Sequence, residues 1–348
     1  MKVLHMHFGK EGGAERFFVN LVTAFAEAGV EQRFVTRPGR VWKAEVAPLG
    51  PVIENHYRRL SLSSPILTWR VHRMVRQWRP DAIMAWMSRS SRLVPDWPHA
   101  VKLTRLGDYP RHLKHFRYND LIVANTPGIA ERCRELGWDR PLEVVSNFVR
   151  DVDPVPVDRA RFDTPKDAFL VTGSGRFVNR KGFDTLLRAV ADLPGAYLWL
   201  MGEGEKRDEL EQLAGELGIA DRVRFIGWVE EPMHYVAASD CFVMPSRHEP
   251  LGNVILEAWA TGVPCVSTAS EGPAWFCTDG SDSLLVPIDG VTEMAAAIAR
   301  VRDEPGLAAR LAENGAETLA ARFTKSAVVD RYLAIFRGEI VPGDAQPQ

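Results

Sequence analysis

The chain has few of the features that would place it in a membrane, outside the cell or on a metal. No apolar run approaches the 18 or more residues that suggest a membrane-spanning helix. The opening MKVLHMHFGKEGG has no extended apolar segment and no small-residue cleavage site, so it reads as mature protein from its first residue. These absences point to a cytoplasmic location. The four cysteines, Cys133, Cys241, Cys265 and Cys277, show no CxxC or Cys/His metal spacing, and three lie in or beside apolar runs, so they read as core thiols. The nine histidines show no HExxH-type pairing. No metal is expected.

Net charge is also small, at -2, but it is unevenly spread. Residues 1–150 carry 24 Lys and Arg against 14 Asp and Glu, a balance of +10, which leaves -12 for residues 151–348. The first part therefore faces something anionic. Nucleic acid, an anionic membrane surface and a phosphorylated substrate all fit the charge. No nucleic-acid-binding module accompanies it, so a nucleic-acid partner is not expected.

What is present is enough to fold. At 348 residues the chain exceeds one hydrophobic core, and 46% apolar with 25% charged residues is ordinary for a soluble globular protein. The run KVLHMHF ends in GKEGG, and AERFFVNLVTAFAEAG follows with helical apolar spacing, Gly29 closing it. EQRFVT, DAIMAW, AVKLTRLG and LIVAN read as further strands, and TPGIAERCRELGW as a helix with a Thr cap and Pro just inside. The pattern lapses over 146–168, SNFVRDVDPVPVDRARFDTPKD, which reads as a linker. Alternation then restarts with AFLVTGSGR and ends in helices over roughly 292–337. Two successive α/β domains follow, each an open parallel sheet, over 1–150 and 151–326, with a C-terminal helix near 327–348 packing back on the first. Ligands of such sheets bind beyond the carboxyl ends of the strands, so GKEGG, GSGR, MGEG, the turn after FIGW and PSRHEPLGN are expected to line one cleft between the domains.

In GSGRFVNRKGFD, Gly173 and Gly175 form a compact turn, and Arg176 and Lys181 stand five apart before Gly182. The string is neither a Walker A loop nor a GxGxxG fingerprint. Two cations on such a turn suit a diphosphate, although a surface turn with solvated charges fits this string alone. In SRHEPLGNVILE a helix begins near Gly252, and its free N–H groups and positive dipole end favour phosphate. Glu249 lies just upstream, in reach of sugar hydroxyls. Glu257, read as two turns inside, is in reach of ribose hydroxyls. The order is sugar, diphosphate, ribose. The plainer alternative makes Glu249 a helix cap and Glu257 a surface charge.

GSGRFVNRKGFDTLLRA, LMGEGEKRDELEQLAGELGIADRVRFIGWV and SRHEPLGNVILEAWATGVPCVSTASEGPAWF together resemble the donor domain of the retaining glycosyltransferases of family 4, over about residues 170–325. GGAERFFVNLVTAFAEAG and NTPGIAERCRELG give a weaker match. The resemblance implies the GT-B architecture, an α/β fold of two Rossmann-like parallel-sheet domains facing a central cleft, with acceptor bound first and donor second along the chain. It implies that Arg176 and Lys181 bind the donor diphosphate and stabilise it as it leaves, near Gly175. Glu249 is implied to hold the transferred sugar, Glu257 the ribose, and the backbone around Leu251, Gly252 and Asn253 the phosphates. Gly227, Trp228 and Val229 border the base, while Gly12 and Gly13 approach the diphosphate and acceptor. Family members often carry a His before an Asp at an N-domain strand end, whereas this chain has Gly107 before Asp108. Asp108 is the N-domain candidate, backed by Arg105 and His112 on the acceptor side.

The reaction so implied moves a hexose from a nucleotide sugar, a UDP-sugar preferred to a GDP-sugar although no residue separates them, to a lipid-linked or saccharide acceptor such as lipopolysaccharide core. No cofactor and no metal are needed. Retention follows from the resemblance alone, and front-face attack is preferred to a covalent intermediate. A nucleotide-sugar 2-epimerase and a non-catalytic nucleotide-sugar-binding protein are the alternatives. Finally, NHYRRLSLSSPILTWRVHRMVRQWRP interleaves Arg58, Arg59, Arg70, Arg73, Arg76 and Arg79 with Leu67, Trp69, Met74, Val75 and Trp78. It reads equally as a helix lying on the anionic inner face of a membrane and as an exposed helix with its apolar side in the core.

Overall fold

A computed structural model describes residues 1–10, 12–57 and 63–340. The chain forms two compact units: Met1–Phe148 together with the segment from Lys325, and Val149–Thr324. Unit 1 holds seven parallel strands: β1 (Lys2–His7), β2 (Glu31–Thr36), β3 (Val52–Glu54), β4 (Ala82–Trp86), β5 (Val101–Leu106), β6 (Leu121–Ala124) and β7 (Leu142–Val144), in the order β3-β2-β1-β4-β5-β6-β7. Unit 2 holds six: β8 (Leu170–Ser174), β9 (Tyr197–Met201), β10 (Val223–Gly227), β11 (Cys241–Met244), β12 (Cys265–Thr268) and β13 (Leu284–Val286), in the order β10-β9-β8-β11-β12-β13. Both are Rossmann-like: helices connect parallel strands, and the order reverses once in each, between β1 and β4 and between β8 and β11.

The buried faces explain the strand composition. Central strands such as β4 and β11 are buried at every position because helices cover both faces of the sheet. Edge strands β3 and β7 are three residues long, too short for a recognisable pattern, and the sequence reading passes over both. The helix Gly13–Glu27 buries Phe17, Phe18, Leu21, Val22 and Phe25 against unit 1's sheet and stops where Gly29 turns left-handed at φ 76°. At the helix Pro127–Glu135, Thr126 occupies the cap position, but its side chain makes no cap hydrogen bond.

Two expectations change in detail. Residues 149–168 are packed on unit 2 rather than forming a free spacer: Arg150 pairs with Glu231, Val157 N–H donates to the His234 carbonyl at 3.1 Å, and Arg159 donates to both Asp240 oxygens at 3.0 Å. Hydrogen bonds, not composition, decide where a domain begins. The C-terminal helix, Lys325–Phe336, closes unit 1's core with Val328, Val329, Tyr332, Ile335 and Phe336, and is tied by Lys325–Glu27 (2.6 Å) and Arg331–Glu143 (2.6 Å). Residues 341–348 of the expected helix lie outside the described residues.

The basic helix Ser63–Trp78 turns Leu67, Val71, Met74, Val75 and Trp78 into the core. Its outer side still carries Ile66 at 58% and Trp69 at 59% exposure beside Arg70, Arg73 and Arg76, with the Arg73 guanidinium 5.4 Å from the Trp69 ring. Arg58 and Arg59 lie outside the described residues. Among the described residues no helix is long and apolar enough to cross a membrane.

Candidate active site

Unit 2 gathers its glycine turns along the carboxyl edge of its sheet. Gly202 N–H donates to the Gly227 carbonyl at 2.8 Å, and a Cβ on Gly202 would lie 1.9 Å from the Gly175 carbonyl oxygen. Only glycine permits that approach, so the turns after β8, β9 and β10 sit against one another. Trp228, next along, is 60% exposed. The Lys181 side chain runs over Gly175, whose Cβ position is 3.7 Å from Lys181 Cδ and Cε. Arg176, on the same turn, is exposed.

The second wall is the segment after β11. Gly182 adopts φ 65°, and a Cβ there would meet the Pro245 carbonyl oxygen at 2.0 Å, so the Lys181 turn and the Glu249 segment are in backbone contact. Lys181 Nζ then reaches the Glu249 carboxylate, each side chain being about one-sixth exposed, at 17% and 15%. Two residues 68 apart in sequence thus form one ion pair. A surface turn with solvated charges does not describe Lys181. The Glu249 backbone is fixed as well: its N–H donates to Glu271 Oε2 at 3.0 Å and its carbonyl accepts from Gly272 at 2.9 Å, while His248 Nδ1 lies 2.6 Å from Glu271 Oε1. Burial pushes the Glu271 carboxyl up, but hydrogen bonds from its own backbone N–H, from His248 and from the Glu249 N–H outweigh it and hold it below the usual carboxylate range.

The helix Asn253–Ala260 follows, with Gly252 at its N-cap in a left-handed conformation, φ 99°. Leu251 is buried in the core, so its backbone is the part available beside the helix mouth. Glu257 is half-buried and stands one turn inside, not two, because the first helical residue is Asn253. Glu249 makes no cap: the N-cap residue Gly252 offers no side-chain bond, and the Glu249 carboxylate is committed to Lys181.

In unit 1, Gly12 caps the helix Gly13–Glu27, and both Gly12 and Gly13 are exposed. Asp108, half-buried just past β5, accepts from the Tyr109 N–H at 2.8 Å. His112 is half-buried, its ring 4.5 Å from that of His115. Arg105 departs from the sequence reading. Expected to face an acceptor, it is 1% exposed, lies 4.5 Å from the Phe17 ring and 5.4 Å from the Trp86 ring, and donates to Asn147 Oδ1. Burial pulls its pKa down, opposed by neighbouring Tyr332. A basic residue on an otherwise apolar strand looks like a ligand-binding cation in sequence. Here the aromatic neighbours draw it inward.

One residue of this region escapes the sequence reading. Arg247, between β11 and Glu249, donates to Asp184 Oδ1 and Oδ2 at 2.8 and 2.7 Å, to Asp289 Oδ1 at 2.6 Å and to the Asn179 carbonyl at 2.7 Å. Its partners are scattered through the sequence, so no local pattern marks it.

Two parallel-sheet, Rossmann-like units in one chain are the architecture of the GT-B fold, which solved glycosyltransferases share. Anabaena Alr3699/HepE, solved in complex with UDP and glucose, superposes with a TM-score of 0.85 at 20% identity, over 97% of this chain and all of that one. The Glycosyl transferases group 1 family matches residues 155–318, and Glycosyltransferase Family 4 matches residues 11–151. The chain belongs to this family. It is 53% identical to the lipopolysaccharide core biosynthesis glycosyltransferase LpsE of Rhizobium meliloti (strain 1021), over 96% of this chain and 98% of that protein. It is 50% identical to LpsD of the same strain, over 97% and 98%.

Proposed function

We propose that this glycosyltransferase moves a hexose, with retention of anomeric configuration, from a nucleoside-diphosphate sugar to a saccharide of the lipopolysaccharide core. The Lys181–Glu249 ion pair beside the mouth of the helix Asn253–Ala260 carries the donor half of this reading. A diphosphate laid against Lys181 and the helix N-terminus shares the cation with Glu249, leaving a carboxylate oxygen for a sugar hydroxyl. Arg176 adds a second cation from the turn after β8, Glu257 takes the ribose, and the exposed Trp228, between Gly227 and Val229, borders the base. Bond cleavage builds negative charge on the leaving diphosphate. On this reading Lys181, Arg176 and the helix N-terminus meet that charge, and no divalent ion is invoked. The acceptor half rests on the identity to LpsE and LpsD and on the +10 balance of residues 1–150, with Gly12, Gly13, Asp108 and His112 toward the acceptor.

A thermal-shift panel of UDP- and GDP-sugars tests the donor, since a ligand at 100 times its Kd adds about 2.7 kcal/mol. The donor giving the largest shift is then offered truncated core saccharides, and transfer is followed by mass spectrometry. Absence of any shift across the panel rejects the donor assignment. The outer side of the helix Ser63–Trp78 supports a peripheral position on the inner face of the membrane, to be tested by co-sedimentation with anionic vesicles at low salt; failure to bind rejects it.

A further inference from the structure

Lys181 and Glu249 stand on different loops, and a pair of this kind is useful only if both loops are held in register. The backbones supply part of that: Arg247 N–H donates to the Arg180 carbonyl at 2.8 Å, and Gly182 abuts Pro245. The Arg247 guanidinium supplies the rest. Its Nε binds Asp289; its Nη1 binds Asp184 and the Asn179 carbonyl; its Nη2 binds Asp184 and, at 3.3 Å, the Thr185 hydroxyl. With the Asn179 side-chain oxygen, 3.3 Å from Nη1, six acceptors surround the fork, drawn from the turn Asn179–Lys181, the first residues of the helix Phe183–Ala191, and Asp289. Asp289 is held at φ 60°, a conformation rare for a non-glycine residue, and accepts from Thr185 Oγ1 at 3.1 Å as well. Burial pushes the Asp184 carboxyl up, but its bonds to Arg247 hold it below the usual carboxylate range.

We propose that Arg247 is a positioning residue for sugar transfer: touching neither phosphate nor sugar, it clamps the Lys181 turn to the Glu249 segment and so sets the geometry of the pair. The inference rests on the roles given to Lys181 and Glu249 above. A planar fork is required, since an ammonium offers three donors from one point and cannot serve acceptors on three segments at once. Displacement of catalytic groups by about 1 Å costs on the order of 10²-fold in rate. The expected signature is therefore in turnover more than in binding.

The experiment compares wild type with Arg247→Lys, Arg247→Ala and Asp289→Asn, using calorimetric binding of UDP and GDP and turnover of the donor chosen by thermal shift, expressed per folded molecule. Arg247→Lys should lose about 10- to 100-fold in kcat with nucleotide Kd changed by less than about threefold. Asp289→Asn, which keeps an acceptor oxygen for Nε, should stay within about threefold of wild type in both. If Arg247→Ala does not fold, Arg247→Lys and Arg247→Gln carry the comparison. Normal kcat per folded molecule in Arg247→Lys, or equal losses in Arg247→Lys and Asp289→Asn, overturns the inference while leaving the donor reading intact. Wild type that binds neither nucleotide overturns both.

Discussion

Unit 1 buries His5 and His7 among Phe18, Phe25, Phe34, Trp42 and Trp86, and neither ring nitrogen of His7 has a hydrogen-bond partner among the described residues; its nearest acid, Glu15, is 3.6 Å away. The indole nitrogen of Trp86 and the hydroxyl of Thr126 are in the same position. Unit 2 joins its charges instead: Lys181 with Glu249, largely buried, and, partly exposed, Arg159 with Asp240 and Arg247 with Asp184 and Asp289. The difference separates two ways of preparing a site. Unit 2 fixes its charges against one another in advance, which suits electrostatic stabilisation by preorganised groups. Unit 1 keeps polar groups inside an aromatic core, where each lacks solvation, and its stability is correspondingly exposed to pH.

The sharpest way to break the comparison is Lys181→Ala. Removing one preorganised cation should cut transfer by about 10²- to 10³-fold in protein that still folds, with some stability lost because Glu249 is left unpaired, and near-normal turnover would remove the catalytic reading of unit 2. Gly182→Ala comes next, because a Cβ there meets the Pro245 carbonyl at 2.0 Å and φ is 65°. A loss of about 3 kcal/mol in unit 2, seen by urea unfolding, is expected. For unit 1 the test is pH. Burial lowers the pKa of His5 and of His7 from 6.5 to about 3, with Arg105 and Arg40 adding to the shift at His7. The unfolded chain therefore binds more protons between these values. Stability present above pH 6.5 is lost as pH falls toward 3, at up to about 1.4 kcal/mol per pH unit for each ring. His5→Phe, between Phe25 and Phe34, should halve that slope in urea titrations; an unchanged slope would contradict it. The smallest effect belongs to Trp228→Ala. Being exposed, it should leave unfolding within about 0.5 kcal/mol, while UDP binding weakens about tenfold if the ring stacks on the base.

The sequence is most informative where chemistry is local. Strand–glycine–helix alternation specifies both sheets apart from the edge strands β3 and β7, and GSGR, Lys181 and Glu249 are brought to one sheet edge because parallel strands share their carboxyl ends. Arg247 is invisible in SRHEP, since an arginine in a polar loop looks solvated until Asp184 and Asp289 are known to surround it. Arg105 fails for the converse reason: nothing local announces the Phe17 and Trp86 rings that hold it inside. The helix Ser63–Trp78 has both readings partly right, its apolar side buried and Trp69 still outside. What escapes sequence reading is the identity of partners distant along the chain.

The helix Lys325–Phe336 completes the core of unit 1 from the far end of the polypeptide, after the whole of unit 2. During synthesis, Phe25 must wait for Tyr332 and Phe336 to leave the ribosome, so the later unit can finish folding before the earlier one. A transcript cut short just before Lys325 would yield an intact second unit tethered to an unfinished partner whose aromatic interior has no lid.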